Sequence, residues 1–214
     1  MSSLIPHTIE ELVTEYKRIW PLMPRLHAAA SKLAEKDAIK ACGKKLGLYS
    51  KQGTKPGLVF EHEYEAETFQ DYLNYMYRPR GFSLVRLLRN RKRYTEDSDE
   101  QQLLEQMVKA RFSLFWIREL HPAGGFVALD VITGEEFFIL DQSLPQQDVV
   151  GLLSAFRIFP FRGVWMHTGA NMSFGCIEDP EGLHPLNRHL DDKEEDILNR
   201  ENFFRWRELM RDQD

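Results

Sequence analysis

The chain has 214 residues, of which 43% are hydrophobic and 29% charged, with a formal net charge of −5. This balance excludes a disordered or collagen-like chain and leaves room for a sizeable core. The acidic net charge argues against attraction of the whole surface to nucleic acid or anionic membrane, so any such contact has to be local.

Two cysteines, Cys42 and Cys176, stand far apart and form no C-x-x-C pattern. Reduced thiols in a cytoplasmic protein fit this better than a disulfide framework or a thiolate zinc site. Met1–Glu15 has no basic stretch followed by an apolar one, and no apolar run reaches the ~18 residues of a membrane span. The sequence therefore reads as cytoplasmic, with no membrane contact.

In chain order, Thr8 and Glu11 have capping-box spacing, and Ile9, Leu12, Val13, Tyr16 and Ile19 recur at helical spacing up to Pro21. Residues 24–47 read as a second helix or a helix pair, with Gly43 as a break and Gly47 as a cap. Ser50–Gly57 reads as a loop and Leu58-Val59-Phe60 as a short strand. Glu61–Tyr77 and Arg80–Asn90 return to helix. Thr95–Asp99 is an acidic turn, followed by a short amphipathic helix through Leu103, Leu104 and Met107.

From Arg111 the period becomes strand-like. Arg111–Glu119, Phe126–Ile132, Glu135–Leu140, Gly151–Phe159 and Gly163–Thr168 are strand candidates, and Asn171–Ile177 extends them. Thr133-Gly134 reads as a two-residue hairpin connection. The tail has Asp191 or Asp192 as the cap of a last helix. The expected class is α+β: a helical N-terminal half packed on a small, curled five-strand antiparallel β-sheet or barrel, with a C-terminal helix. The expected divisions are 1–98, 99–178 and 179–214.

The segments Lys45-Leu46-Gly47-Leu48, Leu58-Val59-Phe60-Glu61, Asp71-Tyr72, Leu103-Leu104-Glu105-Gln106-Met107, Ala110-Arg111-Phe112 and Asp130-Val131-Ile132-Thr133-Gly134-Glu135 carry a resemblance. Over roughly residues 40–170 the layout resembles a group of uncharacterised bacterial proteins, some with a C-terminal SEC-C zinc motif. The tail of this chain has one cysteine, Cys176, so the resemblance implies no zinc site here, and it implies no activity.

The strongest local charge feature is Arg78–Arg93, with seven cations and no acid in 16 residues. Arg78, Arg80, Arg86, Arg89, Arg91, Lys92 and Arg93 are the candidate nucleic-acid contacts, with Tyr75, Tyr77 and Tyr94 as candidates to stack on bases. The competing reading is a solvated face, or pairing with the tail, which from Ile177 onward holds twelve acids against six bases. A helix-turn-helix over Ala34–Leu48 lacks a clear second, base-reading helix.

No catalytic residue, metal site or cofactor motif is assigned. His184 and His189 are five positions apart and miss the i, i+4 spacing of a helical metal pair. Glu61-His62-Glu63 reads as a strand–helix junction. There is no G-x-S-x-G elbow and no phosphate-cradling glycine loop. Asp130, Glu135, Glu136 and Asp141 surround one hairpin and read as a solvated carboxylate face.

Because side chains alternate along a strand, Phe137 and Phe138 point to opposite faces. One of them is then either covered by a helix or offered to a protein partner or a second copy. The sequence thus favours a non-enzymatic binding or regulatory module working through protein or nucleic-acid contacts. The alternative is a hydrolase-like enzyme, which a deep pocket holding two or more of Asp130, Glu136, His121 and His167 would favour.

Overall fold

The computed structural model describes residues 9–52, 55–144, 147, 149–178 and 185–212. The chain divides into two compact units, one formed by residues 1–20 with 110–214 and the other by residues 21–109. The class is α+β.

The unit of residues 21–109 is mainly helical. Helices α2 (Leu22–Ser31) and α3 (Lys36–Lys45) precede a hairpin of β1 (Tyr49–Gln52) and β2 (Lys55–Leu58), followed by α4 (Glu63–Tyr75), α5 (Leu84–Asn90) and α6 (Asp99–Met107). The hairpin replaces the expected loop at Ser50–Gly57, and its turn residues Gly53 and Thr54 lie outside the described residues. Gly43 does not break α3. A Cβ there would stand 2.5 Å from Leu58, so the missing side chain lets the hairpin pack onto the helix. Gly47 takes a φ of +66° just past the last turn of α3, as a C-terminal glycine should.

Helix α5 begins later than its hydrophobic pattern suggests. Pro79–Gly81 is a single 3₁₀ turn in which Arg80 has a φ of +58°, and Ser83 then caps α5 by accepting the Arg86 amide. Ser98 caps α6 in the same way, accepting the Gln101 amide. Leu84, Val85, Leu88, Leu104 and Met107 are buried, as are Met23 and Leu26 of α2, which packs against α4, α5 and α6.

The other unit joins α1 (Ile9–Ile19) to five strands: β3 (Arg111–Leu120), β4 (Phe126–Asp130), β5 (Glu136–Leu140), β6 (Leu152–Phe161) and β7 (Val164–Cys176). Helix α1 buries Ile9, Val13, Tyr16 and Ile19 at 3.6-residue spacing; Thr8, its expected cap, lies outside the described residues. Strands β6 and β7 meet through Arg162 and Gly163, both at positive φ, a two-residue turn whose twist suits a hairpin.

The pairing order is β3-β4-β5-β7-β6, and β6 returns to β3. The expectation of an all-antiparallel sheet is corrected at one seam. β5 and β7 run parallel over two registered pairs, Ile139↔Trp165 and Leu140↔Met166. The reason lies in the connection: β6 and β7 form their own hairpin, so β7 reaches β5 from the direction set by β6. The result is a curled mixed sheet around a core of Phe115, Ile117, Phe126, Ala128, Phe137, Ile139, Phe156 and Ile158.

Helix α7 (Asp192–Arg211) packs on β3 and β7. Asp191 and Glu194 complete its capping box.

Candidate functional site

A basic face is built where α5 ends. Its inward residues Leu84, Val85 and Leu88 are spaced so that Arg86 is turned outward and Arg89 stays half-buried. After Asn90 the chain turns sharply, with Lys92 at a φ of +48°. A non-glycine residue in the left-handed region costs about 1 kcal/mol or more, and this short segment holds two, Arg80 and Lys92.

Two cavities flank this end of the helix, and both include Asn90. The first, about 490 Å³, is walled by Arg89, Lys92 and Tyr94 against Glu96, Gln101 and Glu105. The second, about 370 Å³, holds Tyr77, Arg80 and Arg91 beside Leu33, Glu35 and Pro79. Each cavity therefore combines two cations with one tyrosine.

Of the seven sequence-assigned cations, the structure brings four into these cavities. Arg86 instead lies over the exposed ring of Phe82, 5.6 Å from its centroid. Arg93 is exposed, and Arg78 is half-buried with its Nε donating to the Tyr75 carbonyl at 3.4 Å. Among the described residues, Arg80, Arg86, Arg89, Arg91, Lys92 and Arg93 form no ion pair with an acid of their own unit. Tyr75 is a correction to the expected stacking set. It is buried and its hydroxyl is 3.0 Å from His27 Nε2, whereas Tyr77 and Tyr94 are half-buried.

Three acids of the tail have cationic partners within their own unit. Arg188 pairs with Glu194, Arg200 with Asp196, and the buried Arg157 with Glu195.

In the β unit, His167 lines a small cavity, and Asp130, Glu136 and His121 each have polar partners. Asp130 has no exposure and accepts from Ser113 Oγ at 2.6 Å, from Arg111 Nη1 at 2.9 Å, and from the amides of Ile132 and Thr133. It organises a five-residue connection, Val131–Glu135, in place of the expected two-residue turn. The expectation of a solvated carboxylate is thus corrected: alternation put Asp130 at a strand end, but the cation and hydroxyl of β3 stand opposite it. Glu136 pairs with Arg118, and His121 accepts from the Ala123 amide.

His167 forms a dyad that the sequence did not reveal. Its Nε2 is 2.6 Å from Asp141 Oδ2, and its Nδ1 accepts from the Gly169 amide. Asp141 Oδ1 accepts from the Ser143 amide and hydroxyl and from the Leu144 amide, an Asx turn for which Asp141-Gln142-Ser143 is the only sequence signal. Both ring nitrogens are occupied, and the Trp20 ring lies 5.3 Å away. The adjacent cavity, lined by His167 with Phe126 and Phe156, measures about 20 Å³. The dyad is thus held at both ring nitrogens of His167.

Burial raises the Asp141 carboxyl, but the His167 ring, the Leu144 amide and Ser143 more than offset it and hold it at about 2. A carboxyl depressed in the folded state stabilises above its unfolded value, near 3.8, and loses that stabilisation as pH falls toward 2. Unfolding by urea at pH 5 and pH 2.5 should show wild type losing about 2 kcal/mol more than Asp141→Asn. Equal losses would show that Asp141 is not held in this way. The Tyr16 phenol is raised by burial and by the Asp141 charge.

Phe137 and Phe138 are 8% and 3% exposed, so the expected partner-surface residue is not on the surface. Phe137 stands in the sheet core beneath the Arg111 guanidinium. Phe138, on the opposite face, is covered in part by His121 and by Gly125, where a Cβ would sit 2.8 Å from its ring. Among the described residues no three His, Cys, Asp or Glu side chains are grouped to hold a metal ion, and no helix is long and apolar enough to cross a membrane. His184 lies outside the described residues.

The fold and face define an α+β protein with a curled mixed sheet in one unit and a basic, two-cavity surface in the other. The chain belongs to a family of unknown function, DUF7986, whose model matches residues 10–214. Nothing in that match links it to proteins bearing the SEC-C motif. No curated protein and no solved structure matches the chain.

Proposed function

We propose that this protein is a non-enzymatic binding module for single-stranded nucleic acid, which it holds along the face formed by Arg80, Arg86, Arg89, Arg91, Lys92 and Arg93. The observation that carries this reading is the pair of cavities around Asn90, each with two cations and a tyrosine. Cations set for successive phosphates, interleaved with aromatic rings, are the two components of sequence-tolerant strand binding. Phe82, exposed beneath Arg86, adds a third ring to the same segment. The acidic net charge of the chain is compatible with this, because the attraction is confined to one segment.

Charge reversal tests it. Arg89→Glu with Arg91→Glu, one residue from each cavity, should weaken binding of a labelled 20-nucleotide RNA by about tenfold or more in fluorescence anisotropy. Arg205→Glu on the exposed side of α7 should leave it unchanged. Equal losses from both changes would mean that attraction is diffuse and that the face is not the binding surface.

A further inference from the structure

Helix α7 buries Glu195, Asn199, Phe203 and Trp206 on one side, where it packs on β3 and β7. The opposite side carries Lys193, Ile197, Glu201, Phe204 and Glu208, which recur at three- and four-residue spacing and are all exposed. Ile197 is 37% and Phe204 40% exposed, two turns apart on one line of the helix. A single exposed apolar residue is ordinary on a protein surface; what sets this face apart is the order of charge around two of them. Among the described residues, the side chains of Lys193, Glu201 and Glu208 have no ion-pair partner. Arg200, at the edge of the face, is 3.3 Å from Asp196 of its own helix.

We propose that this face binds the same face of a second copy of the chain, the two α7 helices lying antiparallel about a two-fold axis between Arg200 and Glu201. Two-fold symmetry makes each contact occur twice. Ile197 of one copy meets Phe204 of the other, and Lys193 meets Glu208. At the axis, Arg200 of each copy stands beside Glu201 of the other. Both apolar side chains are covered, and both kinds of charge contact are attractive. A slip of one turn sets Ile197 against Arg200 or Glu208, and Phe204 against Lys193 or Glu201. A parallel arrangement opposes Lys193, Glu201 and Glu208 each to its own copy, three like-charge contacts. The face is complementary to itself in the antiparallel register and in none of these neighbours. The contact with a second copy thereby moves from the buried Phe137 and Phe138 of β5 to α7. About 30 Å of helix buries less than the roughly 1,600 Å² of a standard interface, so the dimer is weak and depends on concentration. The pairing does not depend on strand binding by the basic face.

Light scattering after size exclusion, from about 10 to about 500 µM, should show the mass rising from the 25.1 kDa of one chain toward twice that value. Phe204→Glu should stay monomeric throughout with an unchanged circular-dichroism spectrum, since the position is exposed. Two single reversals read the register. Lys193→Glu sets a glutamate against Glu208 of the second copy, and Glu208→Lys sets a lysine against Lys193. Each variant alone should form a dimer weaker by about fivefold or more. Mixed together, the two variants should return to the wild-type mass profile, because every opposed pair is again opposite in charge. A mixture that associates no better than either variant alone overturns the antiparallel pairing. Wild type that is monomeric at every concentration leaves the face to a different protein and overturns the assignment to a second copy. A dimer that Phe204→Glu leaves intact is held by another surface and overturns it as well.

Discussion

Asp130→Ala is expected to destabilise the β unit by about 3–5 kcal/mol, lowering its thermal midpoint by about 10 °C. The carboxylate is fully buried and accepts from one guanidinium, one hydroxyl and two amides. Alanine removes the acceptor of all four donors at once. Ser113, only 1% exposed, and the Thr133 amide then lose their partner where water cannot replace it, at a cost of about 1–3 kcal/mol for each group left unsatisfied. Arg111 fares better, since it retains Glu135 at 3.6 Å and the Phe137 ring at 4.7 Å. Asp130→Asn keeps one oxygen and should fall between the two. A loss below about 1 kcal/mol in chemical denaturation would show that the network is dispensable.

Glu195→Leu is the second large effect, again about 3–5 kcal/mol. Glu195 is the carboxylate partner of Arg157, which is 1% exposed, and it also accepts the Phe112 amide at 3.0 Å. This contact ties α7 to β3 and β6. Removing Glu195 takes the carboxylate from a guanidinium that is 1% exposed, and breaking such a pair at one member costs more than the pair itself contributes. For that reason Arg157→Met combined with Glu195→Leu should recover most of the loss. If the double variant is as unstable as the sum of the single ones, loss of the carboxylate from a buried guanidinium is not the cause.

Much of the helical periodicity was legible. Ile9, Val13, Tyr16 and Ile19 lie on the buried face of α1, and Asp191, one of the two candidate caps, caps α7. Local signals failed where a distant partner decides the outcome. Asp130 and Asp141 read as solvated hairpin carboxylates because nothing near them in sequence announces Arg111, Ser113 or His167. The parallel seam between β5 and β7 is equally silent, since register depends on which strand arrives alongside rather than on its own alternation. Gly43 read as a helix break because glycine disfavours helix locally, whereas the close approach of Leu58 is a tertiary demand.

The candidate face was half legible. A run of cations shows where charge concentrates, and four of the seven named residues do line cavities. What the run does not show is its curvature, which depends on positive φ at Arg80 and Lys92, residues with no glycine-like signature.

The central claim, a cationic face that tracks the phosphates of a single strand, is tested most directly by the salt dependence of affinity. With the six cations of the face, Arg80, Arg86, Arg89, Arg91, Lys92 and Arg93, each displacing a counterion, the logarithm of the association constant for a 20-nucleotide RNA should fall with the logarithm of salt concentration at a slope of about −4. In the Arg89→Glu, Arg91→Glu variant the slope should be shallower by about 1.4. A slope near zero, or no binding at about 50 mM salt, would contradict the account.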